Sequence, residues 1–167
     1  KPKWSLEKIG KLAYQTECVE FGEPGGMMDQ YVTSCGGMLL IKSEPKVSVE
    51  KIESELGSFV LGDSGELKNT LDILDRCKTS RINIFEKIKS VTSQFDLHTC
   101  KDDLDVSYLS KKEKNLFFAT LKNRNLLEKS LKELNKEKVD PIYFGELLNQ
   151  QHRILRDDLN VSTKKIE

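Results

Sequence analysis

Residues 70–95 most constrain what this chain can fold into. Leu71, Leu74, Cys77, Ile84, Phe85, Ile88, Val91 and Phe95 recur there at helical spacing, and no proline or glycine interrupts them. An unbroken apolar stripe of this kind predicts a helix of about seven turns with one buried face. Downstream, Ser110 and Glu113 stand in capping-box spacing ahead of NLFFATLKNRNLLEKSLKEL, and Asp140 followed by Pro141 sets an N-cap and a first-turn proline at the head of a third helix. The second half of the chain is therefore expected to be mostly helical.

The first half reads differently. Leu6, Ile9, Leu12 and Ala13 mark an amphipathic helix over about residues 5–19, with Glu17 at the flank of its stripe. GGMLLIK and SFVLGD are short apolar runs bounded by glycine or polar residues, a pattern that predicts buried strands. The expected class is α+β, with a lobe boundary between about residues 56 and 63. Charge limits the partners: 27 basic residues balance 27 acidic ones, which gives no electrostatic case for nucleic acid. No apolar run approaches the roughly 18 residues of a membrane span, so no membrane partner is expected. Cys18, Cys35, Cys77 and Cys100 form no C-x-x-C pair and have no histidine at ligand spacing. That disfavours a zinc site or a disulfide framework, and a reducing cytoplasm is the expected location. Hydrophobic residues make up 37% and charged residues 32%, enough apolar material for a core.

The chemistry concentrates in FGEPGGMMDQYVTSCGG, residues 21–37, where three glycines and a proline precede Asp29. One reading is a tight turn, with Asp29 solvated or capping the next helix. The other brings Glu17 and Asp29 together across a pliant connection, one carboxylate binding magnesium and the other orienting a nucleophile. Glu20 and Glu23 are equally available acids, so spacing alone leaves both readings open. His98 and His152 are expected as surface or capping histidines.

ECVEFGEPGGMMDQYVTSCGG resembles the segment of the galactokinase, homoserine kinase, mevalonate kinase and phosphomevalonate kinase (GHMP) superfamily that runs from a metal-binding glutamate to the catalytic aspartate. Glu17, eleven residues, and the Asp29 of GMMDQ keep the galactokinase spacing; mevalonate kinases run one residue shorter. GELLNQQHRILRDDLNVSTKKIE is similar to a second galactokinase stretch, and VLGDSGELKNT to the strand and loop after the catalytic segment, although that loop is closer to mevalonate kinase-like members. Asp75 falls near the place of a galactokinase tyrosine, and HRILRDD is expected to be structural, with Arg156 packing one helix against another.

The resemblance implies a two-lobe GHMP kinase, with an N-terminal lobe like the second domain of ribosomal protein S5 and a helix-rich C-terminal lobe, only partly present here. Residues 1–57 would close the first lobe and residues 58–167 open the second. The phosphate loop and the glycine-rich third motif lie outside this sequence, which reads as an internal piece of a longer enzyme that would be inactive alone. It implies an ATP- and Mg2+-dependent kinase acting on a small-molecule sugar or alcohol hydroxyl, with mevalonate, another sugar, or a non-catalytic sugar- and ATP-sensing role as alternatives. Asp29 would be catalytic, Glu17 the metal ligand, and Gly25, Gly26, Gln30 and Asp63 would bind substrate. Nothing in the sequence fixes the oligomeric state.

Overall fold

A computed structural model describes residues 3–23, 25–43, 46–65 and 70–167. Lys68 and Asn69, which carry the mevalonate kinase-like feature of the loop at VLGDSGELKNT, lie outside the described residues, as does the side chain of Leu71. The chain divides into two compact units, Lys1–Glu55 and Leu56–Glu167. In class it is α-rich with one small sheet.

In the first unit, α1 (Leu6–Tyr14) starts where the Ser5 side chain accepts from the Lys8 amide at 3.2 Å. It runs without a break into a π-helical turn, Gln15–Glu20, closed by the Phe21 amide donating to the Thr16 carbonyl five residues back at 3.2 Å. Thr16 Oγ1 also bonds back to the Leu12 carbonyl at 3.0 Å, a local competition that bends helices. The predicted amphipathic helix is present, yet Leu6 and Ile9 of its stripe are exposed. The contact with α2 (Met28–Cys35) falls elsewhere. A Cβ on Gly10 would lie 3.1 Å from the Tyr31 Cα, so the two backbones approach at the one position without a side chain.

β1 (Leu39–Lys42) pairs antiparallel with β2 (Ser48–Lys51) in the register Leu39↔Lys51 to Lys42↔Ser48. The first strand is the one expected from GGMLLIK. The second was not legible, because SVEK offers a single apolar residue and so no period-2 signal.

The strand expected at SFVLGD is absent. Residues 58–63 have no regular structure, and Phe59, Val60 and Leu61 stand in solvent. Apolar residues make a strand only where a neighbour takes up the backbone ladder. Among the described residues the only sheet is the β1–β2 pair.

The second unit holds the core. α3 (Thr70–Val91) ends four residues before its stripe does; the chain turns, and Phe95 comes back into contact with Phe85 and Phe117 at ring-centroid distances of 6.0 and 6.2 Å. Ile84, Ile88, Phe95, Val106, Leu109, Phe117 and Leu121 form one buried cluster. A second joins Ala119 and Leu126 of α4 (Lys111–Leu134) to Leu147 of α5 (Pro141–Arg153) and to Ile154 and Leu159 beyond it. Both predicted caps are in place. Ser110 and Glu113 make the reciprocal capping box, and the Asp140 carboxylate accepts from the amides of Ile142 and Tyr143.

Two ties were not legible. Glu133, 1% exposed, takes the Asp140 amide at 2.8 Å and Lys136 Nζ at 2.6 Å, joining the end of α4 to the start of α5. Arg124 fastens the 97–102 turn by donating to the carbonyls of Leu97 and Cys100 and to Asp102. Arg156 does not join helices as expected; it pairs with its neighbour Asp157 at 2.6 and 3.0 Å. The tie to this segment comes from Arg76 on α3, which donates to the carbonyls of Leu159 and Asn160.

Candidate functional site

The π-helical turn carries Glu17 and Cys18 and sets Cys18 against the glycine-rich connection. A single turn with one residue too many turns the side chains that follow it away from the α1 register, and such turns recur at functional sites. Cys18 Sγ lies 3.8 Å from the Gly26 carbonyl, and a Cβ on Gly25 would come within 3.3 Å of the same sulfur. Gly22, with φ +71°, provides the left-handed step that lets the chain leave the turn.

α2 then starts at Met28, with Met27 as N-cap and no side-chain cap. Asp29 is its second residue and so does not cap it. The carboxylate is exposed, sits in the first turn where the helix dipole favours a negative charge, and has no hydrogen-bond or ion-pair partner among the described residues.

Gln30, next along, is buried. Its Nε2 donates to Glu17 Oε2 at 2.8 Å and lies 4.0 Å from Cys18 Sγ. Its Oε1 is buried without a hydrogen-bond partner among the described residues. The Ser34 hydroxyl bonds to the Gln30 carbonyl at 2.6 Å, holding this residue to the first turns of α2. Glu17, Gly25, Gly26 and Gln30 are thus brought into one neighbourhood around Cys18, with Asp29 one residue from the contact.

Asp63 belongs to the second unit, where its Oδ1 accepts from the Gly65 amide at 2.8 Å in an Asx turn. A groove of about 500 Å³ is lined by Lys11, Tyr14, Val19, Met27, Tyr31 and Val49 among others; neither Glu17 nor Asp29 lines it. Tyr31 is 4% exposed, and burial, with Glu7 nearby, pushes its hydroxyl above the usual tyrosine range.

Sequence reading missed the part played by Cys18 and the link between Gln30 and Glu17. The signal lay in the side chains flanking the two acids rather than in the acids themselves. Among the described residues, no group of three or more His, Cys, Asp or Glu side chains is arranged to hold a metal ion. The donor set suits a hard cation of lower demand: Mg2+ takes one or two protein carboxylates and completes its shell with water and phosphate oxygens. Glu17 is exposed, and one of its carboxylate oxygens is not engaged by Gln30. No helix is long and apolar enough to cross a membrane among the described residues. No protein family, curated protein or solved structure matches this chain.

Proposed function

We propose that this chain is part of an ATP-dependent kinase of GHMP type that phosphorylates a hydroxyl of a small molecule, a sugar in the galactokinase manner. Its two units would belong to the two lobes of that architecture. The observation that carries the reading is the 2.8 Å hydrogen bond from Gln30 to Glu17, because it joins the glutamate to the GMMDQ segment across the glycine-rich connection. The two acids of the motif therefore sit on segments that touch, as a shared site requires.

Asp29 contributes orientation and a late proton acceptor. An alcohol has a pKa near that of water, about 15.7, against about 3.9 for aspartate, so Asp29 does not ionise the hydroxyl beforehand. It would hold the hydroxyl in line and accept its proton as the new O–P bond forms and the bond from the γ-phosphorus to the departing ADP oxygen breaks, which suits the loose transition state of phosphoryl transfer. Its carboxylate, exposed and unpaired among the described residues, stands in the first turn of α2 and is available for that contact. Glu17 holds the cation, which when bound offsets charge on the phosphate oxygens. Gly26 has open space where a Cβ would stand, so the backbone there leaves room for a substrate.

The test is sugar and mevalonate phosphorylation by the complete polypeptide that carries this chain. Asp29→Asn is expected to lower kcat by about 10²- to 10⁴-fold, the usual range for loss of an acid–base group, with little change in KM. Near-wild-type turnover in that variant removes Asp29 from the chemistry.

A further inference from the structure

The groove of the first unit belongs to neither acid of the motif, and its chemistry is its own. The rings of Tyr14 and Tyr31 and the side chains of Val19, Met27 and Val49 give its 500 Å³ a mostly apolar lining, the size and character of a small-molecule site. Its charge is one-sided. Lys8, Lys11 and Lys46 line it against a single acid, Glu7. Among the described residues the ion pair of this unit joins Lys42 to Glu50, neither of which lines the groove. Lys8 Nζ lies over the Trp4 ring at 5.1 Å, a contact that supplies no counter-anion.

Tyr31 adds an open donor. Its ring packs on Gly10 and leaves the residue 4% exposed, yet its hydroxyl is neither sealed from solvent nor hydrogen-bonded among the described residues. Buried tyrosine hydroxyls usually have a partner. A neutral phenol donates to an anion, and burial keeps this one neutral.

We propose that this groove binds a small organic anion, with an apolar body against Tyr14, Val19, Met27 and Val49 and a carboxylate or phosphate drawn by Lys8, Lys11, Lys46 and the Tyr31 hydroxyl. A cation or a neutral molecule leaves the three ammonium groups without a counter-charge. A bare inorganic anion leaves the apolar wall in water. The inference is independent of the kinase reading, and its test involves no phosphorylation.

The probes are phenylbutyrate, the alcohol and the amine of the same skeleton, and inorganic phosphate. Each is titrated into the 15N-labelled full chain while the amides of Val19, Tyr31 and Val49 are followed by NMR. Phenylbutyrate is expected to shift all three signals and to bind about tenfold more tightly than phenylbutanol or phenylbutylamine, and phosphate to leave them in place. Lys11→Gln combined with Lys46→Gln is expected to weaken phenylbutyrate about five- to tenfold, the effect of two part-exposed ion pairs, and to leave phenylbutanol unchanged. Tyr31→Phe keeps the ring on Gly10 and breaks no internal hydrogen bond; a loss of about tenfold is expected, as for a hydrogen bond to a charged group.

Equal affinity for phenylbutyrate and phenylbutanol makes the groove blind to charge and overturns the inference. An equal response to phosphate does the same, since the apolar wall then contributes nothing. Unchanged phenylbutyrate affinity in both folded variants removes the lysines and the hydroxyl from the site. Should the variants not fold, the four probes on wild type decide, and no shift at the three amides with phenylbutyrate overturns the site itself.

Discussion

Among single residues, the glycines of the 21–37 segment differ in what they do, and the differences are measurable. Gly22 has φ +71°, a region that costs an L-residue about 1–2 kcal/mol. Gly26 has no atom within 4 Å of an added Cβ, and Gly25 would meet only the Cys18 sulfur at 3.3 Å. Gly22→Ala is therefore expected to lower the stability of the first unit by about 1–2 kcal/mol in urea titrations followed by amide exchange, while Gly26→Ala leaves it within about 0.5 kcal/mol. A Gly26→Ala variant as damaged as Gly22→Ala would mean that the connection adopts another backbone. The contrast matters for function because Gly26→Ala then tests the space near Asp29 without unfolding its support.

At the scale of elements, the capping box of α4 couples stability to pH. The Lys87 ammonium, then the Ser110 hydroxyl and amide, hold the Glu113 carboxyl down to about 2 from an ordinary 4.5. A depressed carboxyl pKa stabilises the fold fully above the unfolded value and loses that contribution as pH falls through the folded one. The gap in urea midpoint between wild type and Glu113→Gln should thus be constant above about pH 4.5 and close toward about pH 2. A gap that stays constant over that window would exclude the ion pair as its source. Ser110→Ala is expected to cost about 1 kcal/mol at neutral pH.

These caps were legible in sequence because a cap is settled within four residues: Ser110 with Glu113, and Asp140 with Pro141, carry their own geometry. The α3 stripe was legible for the same reason. SFVLGD was not, since a strand is decided by what lies beside it, and neither were Arg76 to Asn160 or Gln30 to Glu17, which close over 84 and 13 residues. Of the candidate site, the residue types and their order could be read. The burial of Gln30, the π-helical turn under Glu17 and the engagement of Cys18 could not, because they depend on how α1 continues past Tyr14.

Over the whole molecule, apolar residues are distributed unevenly. The second unit closes two buried clusters, and Ile88, with 0% exposure, sits in the first of them beside the Phe85, Phe95 and Phe117 rings. Truncating it removes buried methylenes and leaves a cavity in a packed interior, so Ile88→Ala is expected to destabilise the second unit by about 2–5 kcal/mol. The segment between the sheet and the first described residue of α3 is the opposite case. From residue 52 to residue 65 it has neither helix nor strand, and Phe59 and Leu61 are 77% and 98% exposed.

A protease needs several residues of backbone in extended form, which packed helices deny and an irregular exposed segment offers. Chymotrypsin, which cleaves after large apolar side chains, is therefore expected to cut first after Phe59 or Leu61. Mass spectrometry should find a fragment beginning at residue 60 or 62 before any cut within α4, where Phe117 and Leu121 are buried. First cleavage inside α4 would place the weakest point in the helical core, and residues 58–61 would then have to be covered in solution. The same digest of Ile88→Ala separates local from global opening. Cleavage after Phe59 should proceed at the wild-type rate, while cleavage inside α4 accelerates about tenfold for each 1.4 kcal/mol of stability lost, because only the second needs the core to open.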